Sequence, residues 1–401
     1  MHCGAIALGK PSDAVVSERA APFSVAKQSR WGCTRQTERR SRLGVRNRGK
    51  RCARTALRTV IRKGLATIQK RADLHLYAAR TDLALEAHEM ASPQGQPISG
   101  VQSETERQDG ITITRMHVQT QEGAKAIGKM IGHYVTLEVP GLRQGDADLQ
   151  DRVATAFARE FEAFLSRIGV SPKSSVLVVG LGNWNVTPDA LGPLVVENIL
   201  ITRHLFEMLG DQVRPGYRPV SAVAPGVLGT TGIESSDIVQ GIVKQARPEL
   251  VIAVDALAAK SLERVNTTIQ IADTGIHPGS GIGNKRRGLT RETLGVPCVA
   301  IGIPTVVYAS TIVGNTMDMM LAHMKRHSPN SGALFGVLES MKEEERLQLV
   351  REVLQPLGHD LLVTPKEIDQ FMEDTANIIA SGLNAALHEA IDSSNVAAYT
   401  H

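Results

Sequence analysis

Aromatic residues are scarce in this chain of 401 residues: Phe, Trp and Tyr together make up 3%. A surface that stacks single-stranded nucleic acid needs more of them. Long apolar runs are missing too, and none approaches the roughly 20 residues that span a bilayer. The four cysteines include no CxxC pair, which argues against a zinc–thiolate site. Three of them, Cys3, Cys33 and Cys52, lie in the first 72 residues. Only Cys298 sits in the body of the chain, inside the apolar run Pro297-Cys298-Val299-Ala300-Ile301. One core thiol without a disulfide framework suits a reducing compartment. G-x-S-x-G, H-E-x-x-H and G-K-[ST] are all absent. Serine hydrolases, zincins and P-loop enzymes are therefore poor fits.

The charge is unevenly spread. The formal net charge is +4, yet 18 of the 45 Lys and Arg precede Asp73, with only 3 of the 41 Asp and Glu. The remaining 27 basic and 38 acidic residues make the body acidic, at about −11. Such a surface disfavours direct nucleic-acid binding. Residues 1–72 carry runs such as Arg39-Arg40-Ser41-Arg42 and lack sustained apolar periodicity. They read as a basic extension, either disordered or an upstream translation foreign to the native protein. No apolar segment follows the basic start, so the reading is not that of a secretory signal.

From Asp73 onward the pattern is that of an ordered domain. Ile111–Thr114 and Tyr134–Glu138 alternate like half-buried strands, and Asp148–Ile168 has helical periodicity. A β/α series follows. Val176–Val179, Ser221–Ala224 and Leu250–Val254 read as buried strands. Helices are expected from Asp189 to about Met208, from about Ser236 to Gln245, and over the short stretch Ala256–Leu262. Strands at Thr267–Ile271 and Cys298–Ile303 complete a mostly parallel sheet flanked by helices, an α/β fold. After Thr316 the chain reads as largely helical, with a last long helix from about Pro365 to Ile391.

In open parallel sheets, ligands bind beyond the carboxyl ends of the strands. Two acids fall there: Asp189, closing the loop that starts at Gly180-Leu181-Gly182-Asn183, and Asp255, ending the run Leu250–Val254. Each alone would also serve as a first-turn helix acid. Together they would share one cleft, and like charges that close push one pKa up, giving an acid/base couple able to activate water. Gly182 and Asn183 belong to a partial phosphate-loop pattern without its third glycine, better read as a tight turn under a site. The Gly-rich run Asp273–Asn284 reads as a functional loop, with His277 as an ancillary proton donor, oxyanion group or metal ligand. Lys285-Arg286-Arg287 could hold an acidic side chain or simply be solvated. The loop Ala224–Gly232 is expected along the same cleft.

Several of these stretches resemble one family. Gly180-Leu181-Gly182-Asn183, Val186–Pro193, Ile201–Phe206, Asp255–Ala259 and Gly275–Gly281 are similar to the germination proteases of endospore-forming bacteria, from about residue 73 to the end. The resemblance implies an atypical aspartic endopeptidase with the fold of the hydrogenase maturation endopeptidases. Its substrates would be the small acid-soluble proteins of the spore, and its place the cytoplasm of the forespore and spore core. It further implies a zymogen that trims its own N-terminus, a homotetramer, no cofactor, and Asp189 and Asp255 as the catalytic pair. The family cuts at Thr/Ser-acid-aliphatic-Ala-x-Glu. Here Thr81-Asp82-Leu83-Ala84-Leu85-Glu86 fits, which sets a propeptide at 73–82, a cut between Asp82 and Leu83, and a protease domain at 83–401. A metal-assisted enzyme of the same fold, using Asp189, Asp255 and His277, is the alternative.

Overall fold

A computed structural model describes residues 81–277, 287–327 and 361–391, together with Arg346, Val350 and Glu352. Residues 1–72 lie outside them, as do Lys285 and Arg286. The described residues all belong to one compact unit, Thr67–His401.

Nine strands form one sheet in the order β1-β2-β3-β7-β8-β6-β4-β5, with β9 added beside β8. They are β1 (Val101–Gln108), β2 (Ile111–Val118), β3 (Gly132–Glu138), β4 (Val176–Gly180), β5 (Val220–Val223), β6 (Leu250–Ala259), β7 (Thr268–Ala272), β8 (Cys298–Tyr308) and β9 (Leu362–Val363). The β8-β6-β4-β5 portion is parallel. Every pairing from β1 through β7 to β8 is antiparallel, and so is β9 on β8. The sheet is thus mixed, not mostly parallel. The sequence hid this because β7 lies between two strands of opposite direction and is buried along its whole length, so its apolar run looks like that of a parallel strand.

Helices cover both faces. On one side α2 (Ala147–Arg167), α3 (Leu191–Glu197) and α6 (Ile368–Leu387) pack on the sheet. Phe157, Phe161 and Phe164 of α2 meet Val178, Ile252, Val254, Ile269 and Ile301 from the strands and Ile379 and Leu383 from α6. Asp146 caps α2 by accepting from the Asp148 and Leu149 amides, the arrangement an N-terminal acid favours. The opposite face buries Leu177, Val179, Val251, Ala253, Leu257 and Ala259 under α4 (Ser235–Ala246) and Leu83. Leu83 immediately precedes α1 (Ala84–Ala91), and α5 (Ala309–His327) continues directly from β8.

Two expected helices differ. The stretch Asp189–Met208 is broken into a 3-10 turn at Thr187–Asp189, α3, and a further helix at Arg203–Leu209. Of the expected helix Ala256–Leu262, Ala256–Ala259 instead end β6, and Leu262 opens a 3-10 turn, Leu262–Arg264. Alanine-rich sequence favours helix, but pairing with Ile303–Val307 of β8 overrides the local preference. Asp255 therefore sits in mid-strand.

Candidate active site

Alternation along β6 sets the direction of Asp255. Val251, Ala253, Leu257 and Ala259 pack in one core, and Ile252 and Val254 in the other. With a period of two, Asp255 shares the face of Leu257. It is 6% exposed, unusual for a carboxylate. One of its oxygens, Oδ1, accepts from the Ala256 amide at 3.0 Å. Its register partner on β8 is Gly302.

The Asp189 loop is pinned beside this strand at several points. Beyond β4, the Leu181 amide donates to the carbonyl of Val254, the residue before Asp255, at 2.8 Å. The Asn183 amide donates to the Asp189 carbonyl at 2.9 Å, and Asn183 Oδ1 accepts from the Asn185 amide. Asn183 thus closes the loop that carries the acid. Gly182 has φ +119, and a Cβ there would run into the Asp189 carbonyl. Only glycine fits this turn. A Cβ on Gly192 would approach the Val254 carbonyl at 2.6 Å, so glycine lets α3 start tight against β6. From β8, the Thr305 hydroxyl donates to the Pro188 carbonyl at 2.6 Å. The loop bearing Asp189 and the strand bearing Asp255 are therefore adjacent elements, tied together by the backbone hydrogen bond from Leu181 to Val254.

A cavity of about 230 Å³ lies on the sheet face that Asp255 shares with Leu257, and neither Asp189 nor Asp255 is among its lining residues. Leu257, Gly302, Gln270, Lys129, His277 and Asp82 are among its walls. His277 is exposed, next to the bridge between Ile276 and Leu289, and its ring lies over Gly288, where a Cβ would be 2.6 Å away. The Ala224–Gly232 loop does not line this cavity. Arg287 pairs with Asp237 at 3.6 Å on the surface. Among the described residues, no three of His, Cys, Asp and Glu stand together as a metal-binding group.

The segment Thr81–Glu86 lies along the second half of β6. The Asp82 amide donates to the Ala258 carbonyl at 3.1 Å, and Asp82 Oδ2 accepts from the Ala258 amide at 3.0 Å. Glu86, 2% exposed, accepts from the Lys260 and Ser261 amides at 2.8 and 2.9 Å and from the Thr81 hydroxyl. Arg264 stands 3.6 Å from Glu86 and pairs with Glu89 and Glu138 at 2.6 and 2.8 Å. Leu83 and Ala84 are fully buried. Sequence reasoning missed Lys129, Gln270 and the backbone donors of Ala258, Lys260 and Ser261. Gln270 left one visible signal, a polar side chain in the apolar strand Thr268–Ala272. Lys129 left none, since a lysine after a helix-ending glycine is ordinary.

Comparison with known proteins decides the family. The model of the family described as Germination protease, Peptidase_A25, matches residues 79–332 and 327–400. The chain belongs to the germination protease family. It is 51% identical over 363 residues to the germination protease of Bacillus cytotoxicus, covering 82% of this chain and 99% of that one. The germination protease of a Geobacillus species is 51% identical over 368 residues, with the same coverage. That of Bacillus mycoides is 50% identical over 363 residues, again covering 82% and 99%. As a germination protease the chain is a peptide-bond hydrolase of the aspartic type. No described helix is long and apolar enough to cross a membrane.

Proposed function

We propose that this germination protease starts the breakdown of small acid-soluble spore proteins, in the cytoplasm of the forespore and spore core, after trimming itself between Asp82 and Leu83. Residues 73–82 would be its propeptide and 83–401 its protease domain, with residues 1–72 dispensable and the working form a homotetramer. Asp189 and Asp255 act as a pair. The ionised one takes a proton from water, whose oxygen attacks the carbonyl carbon. The protonated one gives its proton to the departing amide nitrogen. Water activation of this kind contributes roughly 10²–10⁴-fold. A coupled pair titrates as a unit, so the two roles belong to the couple. No cofactor enters the scheme.

The observation that carries this reading is the placement of Thr81–Glu86. Its two acids, which the family's cleavage motif requires, are held a few residues beyond Asp255: Asp82 by the Ala258 amide of β6, and Glu86 by the Lys260 and Ser261 amides just past the end of the strand. The same strand thus carries one proposed catalytic acid and receives the proposed cleavage motif.

The test is a peptide spanning Thr81–Glu86, and a small acid-soluble spore protein, incubated with the enzyme and mapped by mass spectrometry. Asp189→Asn and Asp255→Asn are each expected to abolish cleavage and self-trimming, by at least about 10²-fold. Near-normal activity in either removes the pair. Cleavage should persist in the presence of a chelator; its loss would favour the metal-assisted alternative.

A further inference from the structure

We propose that Lys129, assisted by Gln270, is a catalytic residue of the self-trimming cut, holding the Asp82 carbonyl oxygen as it becomes an oxyanion. The inference deepens the functional reading above and rests on its cleavage site.

The donors converge on the carbonyl of the Asp82–Leu83 bond. Lys129 Nζ donates to the Asp82 carbonyl oxygen at 2.9 Å and to the Thr81 carbonyl at 3.1 Å. Gln270 Nε2 lies 3.4 Å from the same Asp82 oxygen, while its Oε1 accepts from the Ala84 amide at 2.6 Å. Gln270 therefore grips the chain on both sides of the Asp82–Leu83 bond. The Leu83 amide, the nitrogen that departs, donates to the Thr81 hydroxyl at 3.1 Å. Lys129 and Gln270 both line the cavity that Gly302, the partner of Asp255, also lines. The carbonyl is thus presented with donors on its oxygen and a cavity beside the acid-bearing strand.

The chemistry follows from charge. A carbonyl under attack by water gains a negative charge on oxygen, and donors fixed in advance around that oxygen stabilise the transition state more than the ground state. Lys129 is half-buried at the end of the short helix Gln121–Ile127, whose Gly128 cap turns the chain in the left-handed region. Desolvation there lowers its pKa below the ordinary lysine value, against the pull of Asp82 and Glu86. A poorly hydrated donor is a stronger one. In the step itself, the water oxygen bonds to the Asp82 carbonyl carbon and its proton passes to the ionised aspartate. The C–N bond to Leu83 then breaks, and its nitrogen takes a proton from the other aspartate. Lys129 and Gln270 exchange no proton. They hold the oxygen until the carbonyl re-forms as the new Asp82 carboxyl group.

The experiment follows self-trimming of the full chain by intact mass, in the wild type, Lys129→Met, Lys129→Gln and Asp255→Asn. Removing one oxyanion donor is expected to slow the cut about 10²–10³-fold in Lys129→Met, with a smaller loss in Lys129→Gln, which keeps a donor and loses the charge. Thermal melting identifies any variant that does not fold, and the glutamine variant then carries the test. Amide hydrogen exchange at Leu83 and Ala84 is measured on the same samples. Wild-type protection with a slowed cut supports the inference. A wild-type rate in the folded variants overturns it, and so does protection lost in step with the rate, which would reduce Lys129 to a docking contact. A wild type that does not trim or cuts elsewhere, or an Asp255→Asn chain that trims normally, would instead overturn the functional reading beneath.

Discussion

At the scale of single residues, the site depends on positions that are buried or sterically fixed more than on reactive ones. Gly182 shows this most directly. Its φ of +119 and the carbonyl of Asp189 leave no room for a methyl group. Forcing a side chain there costs about 1–3 kcal/mol of backbone strain or displaces the Asp189 loop. Gly182→Ala should therefore lower the cleavage rate by at least about tenfold while lowering the melting temperature only a few degrees. A variant with full activity would show that the loop can move without harming the site. Cys298 is the contrasting case. It is buried and free, and burial pushes its thiol up to about 12, so it is a packing residue and a poor nucleophile.

Elements show where reading the sequence worked and where it failed. The strands β2 to β8 and the helices α2, α4 and α6 are visible because their apolar patterns are strong and their packing agrees with them. The strand β1 was invisible. Its residues Val101–Gln108 are almost wholly exposed and mostly polar, so no hydrophobic pattern marked it; it exists because β2 offers an edge to pair with. The second half of β6 was misread because Ala256-Leu257-Ala258-Ala259 is good helix sequence locally, and only the neighbouring strand decides otherwise. Of the proposed site, both aspartates stood out from their position after apolar runs. Lys129 and Gln270 did not, since what selects them is a chain segment folded back from more than 40 residues away.

The end of α6 makes an element-scale prediction. His388, which follows α6, is fully buried. Its Nδ1 accepts from the Arg218 amide at 3.3 Å. Desolvation first, then the Arg218 charge, lowers its pKa to about 4. The unfolded chain takes up this proton near pH 6.5, the folded one only near 4. Acidification between those values therefore favours unfolding, by up to about 3 kcal/mol from this group. Above pH 6.5 the contribution is constant. Urea denaturation from pH 7 down to pH 4.5 should show the loss, and His388→Gln should flatten it. An unchanged slope in the variant would place the acid sensitivity elsewhere.

At the scale of the whole molecule, family similarity and charge point the same way. The family match begins at residue 79. The acidic body and the basic first 72 residues differ in charge as sharply as two unrelated sequences. A chain starting at Asp73 should therefore melt within about 2 °C of the full-length protein and trim at the same bond, since tenths of a kcal/mol correspond to shifts of that size. A large destabilisation would give the basic segment a structural role after all.

One irregularity in the sheet has a wider consequence. Leu257 pairs with Pro304, but Ala258 pairs with Val306, so Thr305 is the extra residue of a bulge. Freed from the ladder and fully buried, it reaches across to hold the loop of Asp189; bulges near active sites commonly re-aim a side chain in this way. The loop of Asp189 is then fixed from the interior of the sheet. Residual activity after heating ought to track the loss of secondary structure through one transition, and a germination protease built this way would stay competent until the moment its scaffold gives way.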